Sequence, residues 1–214
     1  MIKLATPIRI GLVAVLVAAI AAGFALVPAG ARLPVHWGID GQADGFMPRE
    51  WALLLPAVAL LIVGGLLLAI HRLMRPEQQE AAAAMVGATF TALTGLFAAI
   101  AIGTVAIGTG MAVSMPQIIA MALAVMLLVL GNAMPKSRPN AIAGLRIPTT
   151  LDNPANWQST HQVTGWMAVA GGVVLAAAAL LAPPAQLIWW IAGCILVPLL
   201  AGATYSLLIA RRGV

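Results

Sequence analysis

Four long stretches without Asp, Glu, Lys or Arg limit the fold of this chain more than any other feature. They lie between Arg9 and Arg32, between Glu50 and Arg72, from Ala81 to Pro135 and from Val163 to Ala210. A helix needs about 20 apolar residues to cross a hydrocarbon core of roughly 30 Å. In lipid, only helices and closed barrels pair every backbone amide, and these stretches are too long for barrel strands. The sequence therefore predicts an all-α, polytopic membrane protein.

The third and fourth stretches are each long enough to cross the membrane twice. Gly108, Gly110 and Pro116 interrupt the third, and Pro183-Pro184 interrupts the fourth. Glycine and proline are the usual breakers of helices. We therefore predict six transmembrane helices, with the fifth beginning at about Val163. The composition agrees, because only 8% of the 214 residues are charged, against about 25% in soluble domains.

The placement of basic residues predicts the orientation, since Lys and Arg accumulate in cytoplasmic loops. With the N-terminus inside, Arg32 and Arg49 lie outside. The cytoplasmic side then holds Lys3, Arg9, Arg72, Arg75, Lys136, Arg138, Arg146, Arg211 and Arg212. Both termini are thus expected in the cytoplasm. The net charge of +5 needs no direct nucleic-acid partner, because these bases anchor the chain at an anionic leaflet. A cleaved signal peptide at the N-terminus is disfavoured, because the apolar part exceeds the usual length of about 7–15 residues.

The outer loop between helices 1 and 2 is the first of two polar segments. Its Gly and Asp residues predict turns, and the alternation around Val35 and Trp37 indicates a short strand-like piece. Residues His36, Asp40 and Asp44 are spaced four apart, but equal spacing in a turn-rich loop does not bring side chains together, so we assign no metal and no cofactor. We expect this loop to contact a ligand through His36, Trp37, Asp40, Asp44 and Phe46.

The second polar segment runs from Gly131 to Gly165 and is rich in Pro, Asn and Thr. Its prolines predict a loop without long helices. We expect His161 to lie just before helix 5, capping it and bonding Asn132 or a backbone carbonyl. The predicted functional residues of this inner loop are Asn132, Pro135, Lys136, Asn140, Gly144, Arg146, Thr150, Trp157, Thr160 and His161.

Helix 3 carries small residues at every fourth position. They are Gly87, Thr91, Gly95, Ala99 and Gly103. Such a stripe lets another helix approach closely, and we expect the partner helix to belong to the same chain.

The inner loop also carries an ordered series of motifs. The chain reads Gly131-Asn132-Ala133-Met134-Pro135-Lys136, then Pro139-Asn140, Gly144-Leu145-Arg146, Thr150-Leu151, and Trp157-Gln158-Ser159-Thr160-His161 with Gly165. This order resembles the SdpI family of bacterial membrane proteins. The chain departs from the family pattern at Ile147, Thr149 and Gln162. The outer loop is similar to a small domain of unknown function that often precedes this one, through Pro34, His36, Trp37, Gly41, Asp44, Gly45 and Phe46.

The resemblance implies a role in immunity or signalling at the bacterial inner membrane. The expected partners are the lipid bilayer, a toxic membrane-active peptide bound outside, and a cytosolic transcriptional repressor. The resemblance also implies two units. Residues 1–80 would form a two-helix unit with the outer His-Trp loop, and residues 81–214 a four-helix unit with the cytoplasmic loop 131–165. The oligomeric state is left open by one sequence.

Two other classes of function remain. A membrane-embedded enzyme, modifying peptides or using a metal, would place His161, Thr160, Asn132, Asn140 and Arg146 around a polar pocket. Acid and base catalysis usually needs a second titratable group nearby, and Asp152 is the only acid in this loop. A transporter is disfavoured, because the helices show apolar middles and no clear internal repeat. The sequence therefore favours binding over chemistry.

Overall fold

The computed structural model describes residues 5–211. The predicted anchors Lys3 and Arg212 lie outside this range. The helices are α1 (Pro7–Leu26), α2 (Arg49–Leu73), α3 (Pro76–Gly108), α4 (Met115–Ala133), α5 (Pro148–Leu151), α6 (Pro154–Leu181) and α7 (Leu187–Arg211); the strands are β1 (Arg32–Trp37) and β2 (Ala43–Pro48). Short 3-10 turns cover Met134–Lys136 and Pro184–Gln186. Within residues 5–211, six helices are long and apolar enough to span a membrane, which confirms the predicted fold class.

Prolines begin several of these helices. In α6, Pro154 occupies the first turn, and the Asn153 side chain accepts hydrogen bonds from the backbone N–H groups of Ala155 and Asn156. Proline suits this position because its fixed φ is helical and the missing N–H has no partner there. The prediction that the loop continues to about residue 163 is therefore wrong, and His161 lies inside α6 rather than before it. Pro154 starts a helix where we expected it to prevent one.

The loop between α1 and α2 forms an antiparallel β-hairpin. Arg32 pairs with Pro48 at its base and Trp37 with Ala43 near its tip, with an irregular register around His36. The tip closes through hydrogen bonds from Gly38 N–H to Gln42 and from Gly41 N–H to Gly38. Strand alternation in the sequence indicated the first strand, and the turn lies among the glycines and aspartates that predicted it.

The hairpin and the 131–165 segment lie at opposite ends of the bundle. Helix α2 leads away from the hairpin for 25 residues, about 37 Å at the usual helical rise. Just beyond it, Gln78 accepts a hydrogen bond from Ala141 N–H, and Glu80 pairs with Arg138 at 2.7 Å. At the other end, the hairpin tip at Gly41 packs against Pro184, between α6 and α7.

Small residues bring the helices together. Added Cβ atoms on Gly87 and Gly95 of α3 would contact Arg9 and Leu12 of α1, while one on Gly103 would contact Met115 of α4. The stripe on α3 therefore packs within the chain, as predicted. Helices α4 and α6 approach so closely that a Cβ on Gly131 would lie 2.6 Å from the carbonyl oxygen of Gly165. This contact places the first turns of α6 beside the end of α4.

Candidate functional site

His161 lies at the centre of the 131–165 segment and is completely buried. Its Nδ1 lies 2.8 Å from the carbonyl oxygen of Trp157, and its Nε2 lies 2.9 Å from the backbone nitrogen of Leu145. A carbonyl only accepts, so the ring proton is on Nδ1, and Nε2 accepts from the Leu145 N–H. The imidazole is therefore neutral in this arrangement. Of the two predicted partners, the backbone carbonyl is found, whereas Asn132 is exposed.

Trp157 and Gly144 enclose the imidazole. The rings of Trp157 and His161 stack with centroids 4.0 Å apart and planes inclined by 17°. The indole Nε1–H donates to the carbonyl oxygen of Ser137 at 3.1 Å. Gly144 has a φ of +107° and lies so close that an added Cβ would overlap Nε2 of His161. Glycine is required here both by the backbone conformation and by the lack of space.

Asn140 and Thr150 hold the loop on either side of this centre. The Asn140 carboxamide accepts from the backbone N–H groups of Ile142 and Ala143 and donates to the Arg138 carbonyl. The Thr150 hydroxyl donates to the Leu145 carbonyl at 2.7 Å and accepts from the Ile147 N–H at 3.1 Å. Both side chains are buried. Their role in this structure is to fix the loop backbone, since side chains that satisfy buried backbone groups limit its alternatives.

A second polar cluster joins α5, α6 and α7, and of its members only Thr160 was predicted from the sequence as a functional residue. The Asn156 Nδ2 donates to the Ser206 carbonyl at 3.0 Å, and its Oδ1 accepts from the hydroxyls of Thr160 and Ser206. Thr149 completes the cluster through a 2.7 Å bond to the Ser206 hydroxyl. The spacing of Asn156 and Thr160 is a signal for one helical face, but only once α6 is known to begin at Pro154.

The basic residues of the segment lie at its surface. Lys136 and Arg146 are exposed, and the Arg146 guanidinium donates to the Ala141 carbonyl. Pro135 contributes its carbonyl to the Gln158 side chain at 3.0 Å. A cavity of about 470 Å³ lies beside Asn140 and is lined also by Arg75 and Gln78. The buried hydrogen bonds thus support an exposed, mainly basic surface.

The imidazole of His161 is closed off from solvent within the 131–165 segment. His161 is 0% exposed and both ring nitrogens are hydrogen-bonded, so a substrate cannot reach the imidazole without rearrangement of the loop. Asp152 is exposed. In residues 5–211, no three His, Cys, Asp or Glu side chains are grouped so that they could hold a metal ion.

The predicted outer residues gather mainly at the tip of the hairpin. His36 Nδ1 lies 2.5 Å from Asp44 Oδ1, with both side chains exposed. Asp40 accepts from the Gln42 N–H at 3.0 Å and is also exposed. Trp37 is half-buried, and Phe46, which pairs with Pro34 nearer the base, is 47% exposed. The residues predicted in the hairpin and those predicted in the 131–165 segment therefore form two separate groups.

Six spanning helices with a hairpin at one end and a hydrogen-bonded polar segment at the other define a multi-pass membrane protein. The model of the SdpI/YfhL protein family matches residues 136–209, and that of a domain of unknown function, DUF1648, matches residues 12–60. These matches confirm the resemblance of the chain to that family, which suggests a membrane protein of the immunity type. Comparison with curated proteins and with solved structures gave no match.

Proposed function

We propose that this protein resides in the bacterial inner membrane, binds a membrane-active antimicrobial peptide at its outer hairpin, and protects the cell by binding rather than by chemistry. The observation that carries the proposal is a continuous set of contacts between the two ends of the bundle. The hairpin tip packs on the turn between α6 and α7, and the opposite end of α6 holds the 131–165 segment. A ligand on the hairpin therefore acts on an element that reaches the inner segment.

The contact at the hairpin tip is tight. A Cβ on Gly41 would lie 2.9 Å from the backbone carbon of Pro184 and 3.1 Å from the nitrogen of Ala185. Helix α6 then runs for 28 residues, about 42 Å. At its far end, Asn156 links it to Ser206 of α7. Movement of the turn between α6 and α7 would thus displace both helices and the 131–165 segment that they support.

The exposed surface of the 131–165 segment would transmit the effect of peptide binding to a partner in the cytosol. Lys136 and Arg146 would bind a cytosolic transcriptional repressor when the segment changes shape. A peptide can drive such a change only if it binds the two states with different free energies; moving the population from 1:99 to 99:1 takes about 5.5 kcal/mol. Residues 1–80 would bind the peptide, and residues 81–214 would change conformation and bind the repressor.

We also propose an orientation for the bundle. Of the Lys and Arg residues between 5 and 211, only Arg32 and Arg49 lie at the hairpin end. The other end carries Arg9, Arg72, Arg75, Lys136, Arg138, Arg146 and Arg211. Basic residues favour the cytoplasmic side, so the hairpin faces outward and both termini face the cytoplasm.

The test is expression in a peptide-sensitive host, which is then challenged with membrane-active peptides. Protection with intact peptide supports binding, whereas cleaved peptide supports the enzymatic alternative and export of internalised peptide supports a transporter. His161→Ala should remove protection and leave membrane insertion intact. The variant leaves the Leu145 N–H unpaired, at a cost of about 1–3 kcal/mol, and loses the stacking on Trp157, worth about 0.5–1.5 kcal/mol.

Gln162→Ala is the matched control, because Gln162 is the exposed neighbour of His161 on the same helix. Its protection should equal that of the wild type. Asn132→Ala, at the exposed motif residue, should also lose protection if the motif acts through its surface. Equal resistance in His161→Ala and in the wild type would remove the buried centre from the mechanism.

A further inference from the structure

A cavity of about 480 Å³ lies directly beneath the hairpin, between strand β1 and helices α2, α3 and α4. Its lining is mostly apolar and includes Trp37 from the strand, Leu55 and Ala59 from α2, and Phe97 from α3. Ligand cavities in proteins typically measure about 300–1,000 Å³ and combine apolar walls with a few polar groups. The space is therefore large enough for several apolar side chains of a ligand.

The cavity extends from the hairpin into the membrane-spanning region. Ala59 lies ten residues into α2 from Arg49, which corresponds to about 15 Å along the helix. Phe97 lies eleven residues before the end of α3 at Gly108, or about 16 Å. A ligand with one end at the hairpin would thus place its other end roughly halfway into a hydrocarbon core of about 30 Å. Only an apolar group suits that depth.

Two carboxylates, those of Asp40 and Asp44, flank the mouth of the cavity without being part of its lining. His36 lines the cavity and also bonds Asp44. Carboxylate oxygens of Asp40 and Asp44 lie 2.9 and 3.2 Å from the place that a Cβ on Gly38 would take, so the two groups converge. Two converging carboxylates attract a cation and repel a phosphate.

His36 is bonded to one oxygen of Asp44, whereas the two arginines at this end have other partners. Arg49 pairs with Glu50 and donates to the Val27 carbonyl, while Arg32 donates to the Phe46 carbonyl. The cavity mouth thus offers acceptors for an ammonium or guanidinium group.

We propose that this cavity receives the apolar side chains of a cationic amphipathic peptide, whose Lys or Arg side chain pairs with Asp40 and Asp44 at the mouth. The inference rests on the proposed function and adds to it the chemical class of the peptide and the place where it binds. Phospholipid acyl chains are the competing occupant, and the experiment below separates them from the peptide.

A photo-crosslinking experiment tests the occupant directly. The protein is reconstituted in phosphatidylcholine nanodiscs with a synthetic helical peptide of Lys and Leu that carries one diazirine-leucine. Cross-links should map to residues 55–59 and 97–104. Ala59→Phe fills the cavity and should lower their yield about tenfold, whereas Val58→Phe, at a 46% exposed neighbour, should leave it unchanged. A peptide with Gln in place of Lys should cross-link about tenfold less.

Three results would overturn the inference: a yield that Ala59→Phe does not change, equal yields for the Lys and Gln peptides, or cavity cross-links from a photoreactive phosphatidylcholine that persist with the peptide present. Asp44→Asn provides a variant that changes an exposed side chain and spares the packing. It should weaken cross-linking of the Lys peptide and leave the weak signal of the Gln peptide unchanged; equal Lys-peptide yields before and after the substitution would also contradict the inference.

The sensitive host separates this inference from the proposed function. A wild type that gives no protection against any peptide would contradict the function. A wild type and an Ala59→Phe variant that protect equally well would contradict the cavity alone. Val58→Phe should protect like the wild type in either case, because it alters the lipid-facing side of α2.

Discussion

Gly144→Ala tests the buried centre of the 131–165 segment most directly. Gly144 adopts a φ of +107°, and its missing side chain leaves room for the His161 ring. An alanine Cβ would overlap Nε2, and it would lie 3.1 Å from Cδ2 of His161 and 3.3 Å from the Trp157 ring. Because the two rings are stacked, the imidazole cannot move aside without displacing Trp157.

Two terms add up to the expected cost. Placing a side chain in the left-handed region costs about 1–2 kcal/mol. Displacing the imidazole removes the acceptor of the buried Leu145 N–H, at a further cost of about 1–3 kcal/mol. The sum, about 2–5 kcal/mol, is confined to the loop, because the helices are held by contacts elsewhere. We therefore expect local opening around Leu145 in an inserted and folded protein.

Hydrogen exchange on the protein in nanodiscs measures this opening. The loss of the His161 acceptor alone should speed exchange at Leu145 by about 5- to 150-fold. Gly110→Ala is the matched control, since Gly110 has a φ of +85° and open space around its Cα. Gly110→Ala has the free-energy cost of a side chain in the left-handed region, but its Cβ overlaps no neighbouring atom. An unchanged exchange rate at Leu145 in Gly144→Ala would refute the reasoning. An increase at Leu145 no larger than the increase that Gly110→Ala causes in the turn around Gly110 would refute it too.

Two further predictions concern helix packing and orientation. Gly131→Ala should lower the midpoint of unfolding in a dodecyl sulfate titration, because its Cβ would meet the backbone of α6 and overpacking costs about 1–3 kcal/mol. Gly11→Ala, with open space around it, should not; equal midpoints for both would contradict the close approach. Cysteines replacing His36 and Arg146, in a background without Cys194, should react with an impermeant maleimide from opposite sides of the membrane. Labelling of both cysteines from the same side would contradict the placement of the hairpin and the 131–165 segment on opposite sides of the membrane.

The sequence was most informative about the membrane. Charge-free stretches and the breaks at Pro116 and Pro183 were enough to predict six spans, because a charged side chain in hydrocarbon is costly and an unpaired backbone amide is too. The turn of the outer loop was predicted from Gly and Asp for a similar local reason. These features depend on each residue and its immediate surroundings.

The candidate site was predicted only in part. Trp157, His161 and Gly144 were named from the sequence, but their contacts were not. The start of α6 was misplaced, because proline prevents a helix before it and favours one after it, and the sequence alone did not decide between the two at Pro154. The predicted bond between Asn132 and His161 depended on that error.

The sequence by itself determined that the chain crosses a membrane six times and that two polar segments interrupt the spans. Only the tertiary structure decided that Asn156 meets Ser206, that Gly144 covers His161, and that the hairpin tip packs on Pro184. Apolar helices without charges can pack in many registers with similar burial. The register is chosen by close contacts of small residues and by hydrogen bonds between positions far apart in the chain, which no local pattern encodes.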